Sequence, residues 1–196
     1  MQNRPKGRFC IYTSGIMIQD STYQSLSQAL EGSEIPNYIR NHLALVDVSY
    51  LSFDGQEHQG QLVVDSRVVE DIKKVFIKLL EISFPIEKVI PITKYGWDDE
   101  ASMQDNNTSA FNYRKILGTD RLSNHSLGLA IDINPLLNPY YSYNGTIYPL
   151  GAKYDTSVRG TITAESEIVL LFTSLGWTWL GEREKNKDYQ HFEKRL

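Results

Sequence analysis

Apolar residues dominate positions 43–53 and 59–64, and Asp54-Gly55 lies between the two runs as a turn dipeptide. The pattern predicts a β-hairpin. The period then changes: Val68, Ile72, Val75, Phe76, Leu79 and Leu80 recur at helical spacing through about position 82, with Asp65 or Ser66 at the N-cap. Pro85 ends that helix, and 86–92 reads as another strand. Positions 98–109, rich in Asp, Asn and Ser, read as a loop. A strand is expected over 127–133, stopped by Asn134-Pro135. Positions 138–159 then form a long loop carrying Tyr140, Tyr141, Tyr143, Tyr148 and Tyr154. Thr163 caps an expected helix through Leu175, with Gly176 as its left-handed terminator. Positions 177–180 and 189–193 read as a closing antiparallel pair. Ahead of the hairpin the pattern is weak, with a short helix over 25–30 stopped near Gly32 and a turn opened by Pro36. Strands joined by hairpins, with helices in isolation, point to an α+β fold: a small central antiparallel sheet with flanking helices.

Composition narrows the class. With 196 residues, 41% hydrophobic and 22% charged, the chain fits one domain, residues 43–196, with 1–42 as an N-terminal arm of the same unit. No window approaches the ~18 consecutive apolar residues of a transmembrane span. A formal charge of −4 gives no general case for nucleic-acid binding. Cys10 is the single cysteine, which excludes a disulfide scaffold. The opening MQNRPKGRFC is charged and lacks a long apolar stretch, so no signal peptide is read there.

Candidate chemistry gathers in two segments. In the first, Ser123 to Asp132, a strand reading sends Leu127, Leu129, Ile131 and Ile133 to one side and Gly128, Ala130 and Asp132 to the other. The second side has two small residues beside a carboxylate, with His125 at the mouth of the strand. Zinc takes imidazole nitrogen and carboxylate oxygen at ~2.0–2.2 Å, which makes His125 and Asp132 joint ligand candidates. His191, in Asp188-Tyr189-Gln190-His191-Phe192-Glu193, offers a third ligand. Three protein ligands leave a coordination position open, as catalytic zinc sites do. Asp188 carries the charge for a general base, but strict alternation puts it on the face opposite His191, so it must sit in the preceding turn or at a bulge. The competing reading is a hydrogen-bonded histidine pair with a capping aspartate. His58, next to the turn, reads as solvated, and His42 has no metal-like spacing. The tyrosines at 140–154 read equally as a wall of a substrate cleft or as a self-packed loop.

The pattern Ser-x-His-x-x-Gly-x-Ala-x-Asp, with an acid three residues before a His-Phe-Glu, resembles the zinc D-alanyl-D-alanine carboxypeptidase and dipeptidase family, which includes L-alanyl-D-glutamate endopeptidases of peptidoglycan. Tyr95-Gly96-Trp97-Asp98-Asp99, the run from Asn106 to Arg114, and Trp177-Thr178-Trp179 extend the resemblance over roughly residues 43–194. It implies His125, Asp132 and His191 as zinc ligands, Asp188 as catalytic acid/base, and Arg114 as the arginine that steadies the scissile carbonyl. Ser123 matches a serine that lies near substrate in relatives; here it reads either as a substrate contact or as a cap of the loop. The resemblance further implies a zinc cleft of the kind shared with hedgehog domains, a substrate among peptidoglycan stem peptides or muropeptides, and a periplasmic or cell-surface location. D-Ala-D-Ala carboxypeptidase activity is the first expectation. The alternatives are an L-alanyl-D-glutamate endopeptidase and a non-catalytic zinc module that binds peptidoglycan or a protein. Asp at position 188, where the dipeptidase branch has Glu, bears on which bond is cut rather than on the chemistry.

Overall fold

The computed structural model describes residues 17–116 and 118–196, so Cys10 and the segment read for a signal peptide lie outside the described residues. The chain opens with a two-residue strand, β1 (Ile18–Gln19), and two single-turn helices, α1 (Leu26–Ala29) and α2 (Asn37–Arg40). The expected hairpin follows as β2 (Leu43–Leu51) and β3 (Glu57–Asp65), paired antiparallel along their whole length around a turn with Gly55 at φ 81°. Strand β1 adds to β3 in parallel. Asp65 caps the turn that follows by accepting from the Arg67 backbone N–H at 2.9 Å. Helix α3 (Val69–Glu81) then buries Ile72, Val75, Phe76 and Leu79, the stripe that the spacing specified. Each such side chain contributes roughly 1.5–3 kcal/mol when fully removed from water.

Beyond α3 the local signals are weaker and the structure departs from them. The 86–92 strand shrinks to β4 (Lys88–Val89), and residues read as a loop form α4 (Asp99–Gln104) and β5 (Asn107–Thr108), the latter parallel to β4. Asp98 is a full N-cap, accepting from the Glu100 and Ala101 N–H groups, and Asp99 and Glu100 fill the first turn. The acidic composition that suggested a loop is that of a helix start. Strand β6 (Ala130–Asp132) is shorter than expected, because residues 124–127 form a 3-10 turn. The long loop contains a small hairpin, β7 (Tyr140–Tyr141) and β8 (Ile147–Tyr148). Helix α5 (Glu167–Ser174) starts after Ser166 rather than Thr163, and Gly176 follows it with φ 83°, as expected. The chain closes with β9 (Trp177–Trp179), β10 (Lys187–Asp188) and β11 (His191–Lys194).

The α+β class holds, with the strands spread over four small sheets, ordered β1-β3-β2, β10-β7-β8, β6-β11-β9 and β4-β5. One apolar core joins the hairpin, α3, β6, α5, β9 and β11, with Phe172 stacked on Phe192 at 4.1 Å. A second cluster packs Ala29, Leu30, Ile35 and Ile39 against Leu43, Val63 and Phe111. Buried amides hold the loop after β6: the Asn134 side chain accepts from Glu87 N–H and donates to Pro85 and Gly160, while Asn138 accepts from Ile162 N–H. Lys194 donates to Asp71 at 2.7 Å and to the Leu175 carbonyl, tying β11 to α3. His58 corrects the expectation of a solvated residue. It is buried, with Nδ1 facing Asp20 at 3.0 Å and Nε2 facing Asp54 at 3.1 Å. No helix among the described residues is long and apolar enough to cross a membrane.

Candidate metal centre

Antiparallel register supplies the first two members of the site. Asp132 on β6 is the direct partner of His191 on β11, and cross-strand partners share a face. His191 Nδ1 lies 2.8 Å from one Asp132 oxygen. The third member comes from the 3-10 turn, where His125 Nε2 lies 3.1 Å from the other Asp132 oxygen. The potential ligand atoms of His125, Asp132 and His191 lie within 4.8 Å of one another, and all three residues are buried.

The turn is built to aim His125 inward. Ser123 caps it, its Oγ accepting from the His125 N–H at 3.3 Å. Ser126 Oγ accepts from the Arg114 N–H at 2.8 Å and ties the turn to the 110–114 segment. Gly128 ends it at φ 68°, with Asp65 backbone nitrogen 2.4 Å from where a Cβ would sit. The expected alternation of residues 127 and 128 therefore does not apply, since both belong to the turn. A Gly128→Ala variant should lose at least about 2 kcal/mol of unfolding free energy, read by chemical denaturation, since the left-handed backbone and the close approach both oppose a methyl group.

Each histidine is oriented from behind. His125 Nδ1 donates to the Ala110 carbonyl, which leaves Nε2 with its lone pair facing Asp132. His191 Nε2 faces Glu193 at 3.4 Å, and Glu193 also accepts from the Asn124 amide at 2.7 Å. Both inward nitrogens converge on the same carboxylate, 3.1 Å from each other. Two imidazole lone pairs and a carboxylate repel at that distance unless a cation sits among them, a proton or a metal ion. The electrostatics agree. Burial alone would raise the Asp132 carboxyl and lower His191, but their mutual attraction outweighs it. Asp132 is held well below the usual carboxylate range, and His191 is pushed up to about 10. Glu193 drops to about 2 through its hydrogen bond with His191. Two imidazoles and one carboxylate are the donor set of an open transition-metal site, and the acceptors behind the rings complete it.

Asp188 lies on β10, and the chain bends at 189–190 before β11 starts, which removes the alternation conflict with His191. Its Oδ1 is buried with no hydrogen-bond partner among the described residues, and burial pushes the carboxyl up to about 7, with His191 opposing and Asp132 assisting. Arg114 runs beside the His125 turn, its carbonyl accepting from the Ser123 N–H at 3.1 Å. Its guanidinium pairs with Asp99 at 3.0 Å, and its Nε is buried without an acceptor among the described residues. Sequence reasoning missed the supporting acceptors. Glu193 was visible in the His-Phe-Glu run, whereas the Ala110 carbonyl left no signal, because any residue presents one. His42 is exposed and stands apart from the three.

Residues 117–194 match the family described as D-alanyl-D-alanine carboxypeptidase, a span that holds Ser123, His125, Asp132, Asp188 and His191. Comparison with curated proteins and with solved structures finds no match.

Proposed function

We propose that this chain, a peptidase by its match over residues 117–194 to the D-alanyl-D-alanine carboxypeptidase family, is a zinc enzyme that hydrolyses a peptide bond of peptidoglycan stem peptides. The observation that carries the metal reading is the convergence of His125 Nε2 and His191 Nδ1 on the two oxygens of buried Asp132. These three residues would hold the zinc, in a cleft of the kind the hedgehog resemblance implies. When bound there, zinc supplies Lewis acidity, which polarises the scissile carbonyl and eases deprotonation of water.

The remaining work belongs to the chain. Asp188 has a carboxylate oxygen with no competing hydrogen bond among the described residues, so it is free to take a proton from the attacking water and return it to the leaving amine nitrogen. Arg114 brings a permanent positive charge to steady the carbonyl oxygen as it becomes negative, with Asp99 holding one end of its guanidinium. Ser123 acts through the backbone, fixing the turn that aims His125. Residues 43–196 are read as the catalytic domain, with the helices before residue 43 packed onto it.

D-Ala-D-Ala carboxypeptidase cleavage is the first reading. Asp rather than Glu at 188 is compatible with a second, the L-alanyl-D-glutamate endopeptidase. Either substrate places the enzyme in the periplasm or at the cell surface. Mass analysis of muropeptides incubated with zinc-loaded protein separates the two: loss of one alanine marks the first, and a released fragment beginning with D-glutamate marks the second. A chelator should abolish either product. One zinc per chain with no cleavage would overturn the enzyme and leave a binding module.

A further inference from the structure

The two strand pairs that carry the site are made by the same two stretches of chain. Residues 130–141 lie antiparallel to 187–194, first as β6 against β11 and then, past the loop at 133–139, as β7 against β10. Asp188 and Tyr140 form the first pair of the second ladder, three residues before His191 on one stretch and past the 133–139 loop on the other. Strand β8 continues that rung, because Tyr140 is in turn the partner of Tyr148. Partners across a sheet share a face, so Asp188, Tyr140 and Tyr148 form a row on one side. The two rings confirm the common face by stacking at 6.1 Å and 24°. Asn186, one alternation before Asp188, pins the row by accepting from the Tyr140 hydroxyl at 3.1 Å. Both tyrosines stay half-exposed. The other tyrosines of this region are committed elsewhere: Tyr141 packs edge-on to Tyr189, and Tyr189 stacks on Tyr154 at 3.7 Å. A cleft of about 350 Å³ lies between the Tyr141–Tyr143 tip and residues 184–187, and neither Asp188 nor Tyr148 lines it.

We propose that Tyr140 and Tyr148 are the wall against which the leaving segment of the peptide lies, so that the enzyme accepts leaving segments longer than the single alanine of the carboxypeptidase reading. The inference rests on the peptidase reading above. In that chemistry the scissile carbonyl sits at the ligand rung and the leaving amine at Asp188. Substrate beyond the amine then meets whatever shares the Asp188 rung, which is Tyr140 and next Tyr148. Strand neighbours are spaced ~4.8 Å apart, so the row from Asp188 to Tyr148 runs about 10 Å. Extended peptide advances ~3.3–3.6 Å per residue, so the wall has the length of about three residues, more than a single alanine needs. Its flat phenol faces suit the amide planes and small side chains of a D-amino-acid peptide.

The test uses two peptides built around the bond that product analysis identifies, identical up to that bond, one releasing a single amino acid and the other a tripeptide. Zinc-loaded wild-type protein should favour the longer substrate by about tenfold in kcat/KM, equivalent to about 1.4 kcal/mol. Tyr148→Ala should bring that ratio towards one. Tyr148→Leu, which keeps apolar volume but lacks the flat face, should do the same, guarding against a merely misfolded alanine variant. Tyr143→Ala, at the exposed hairpin tip, should leave the ratio unchanged. Equal rates for both peptides in the wild type, or an unaltered ratio in both Tyr148 variants, would overturn the wall while leaving the peptidase intact. A wild-type protein that cleaves no muropeptide overturns the peptidase reading, and the wall with it.

Discussion

Replacing Asp188 with asparagine lowers kcat by about 10²–10⁴-fold while one zinc per chain is still bound. The asparagine is nearly isosteric, so it keeps the β10–β7 pairing and the bend into β11, but it cannot accept a proton. Its Oδ1 is buried and makes no hydrogen bond among the described residues, so on the proposed mechanism it is available to accept a proton. In the metal-free protein burial holds this carboxyl at about 7, against the pull of His191. A bound dication favours the ionised form and moves that value down. The rate of the zinc enzyme should therefore fall as acid protonates the base, with an apparent pKa below 7 on the acidic limb of kcat/KM. The acidic limb should vanish in the asparagine variant. Full activity in Asp188→Asn, with zinc content verified by atomic absorption, removes Asp188 from the mechanism.

On the proposed zinc reading, substituting His191 with alanine should abolish zinc uptake and the stabilisation that zinc would confer on the wild type. At a free zinc concentration one hundred times the dissociation constant, binding stabilises the native state by about 2.7 kcal/mol. For a chain of this size that corresponds to a rise in Tm of about 5–10 °C. Without His191 the site keeps one imidazole and one carboxylate, and the shift should disappear. The same residue links binding to protons. His191 in the metal-free protein titrates near 10, because Asp132 and Glu193 outweigh the cost of its burial. Its folded value is thus raised above the ordinary histidine value of ~6.5. The stability this proton contributes to the metal-free protein is full below pH ~6.5 and is lost as pH rises through about 10. Zinc needs the neutral ring, so binding at pH 7 should release at least one proton. Calorimetry in two buffers of different ionisation enthalpy reads that number directly. Zero release would mean that zinc binds elsewhere.

The hairpin at 43–65 and helix α3 were legible from local pattern because a strong turn dipeptide and a helical stripe each act over short range. The motif also nominated His125, Asp132 and His191, which the structure brings together. Strand alternation fails over residues 124–128. Residues 124–127 coil into a 3-10 turn, and Gly128 takes the left-handed conformation because β3 passes against it there. That close approach joins segments more than sixty positions apart, and no local pattern announces it. Helix α4 was hidden for a different reason, since Asp98, Asp99 and Glu100 serve a helix N-terminus as well as a loop.

Residue identity in two short runs was enough to name the chemical groups of the site and their order along the chain. Which of them meet, and what stands behind them, was decided by pairing over long separations: β6 against β11, β7 against β10, and the 110–114 segment against the His125 turn. Those pairings orient His125, split the tyrosines between a packed set and the row beside Asp188, and leave one buried Asp188 oxygen without a hydrogen-bond partner among the described residues. Local sequence carries dihedral preference and side-chain chemistry. Register, burial and the charges around a buried group exist only once the segments have packed.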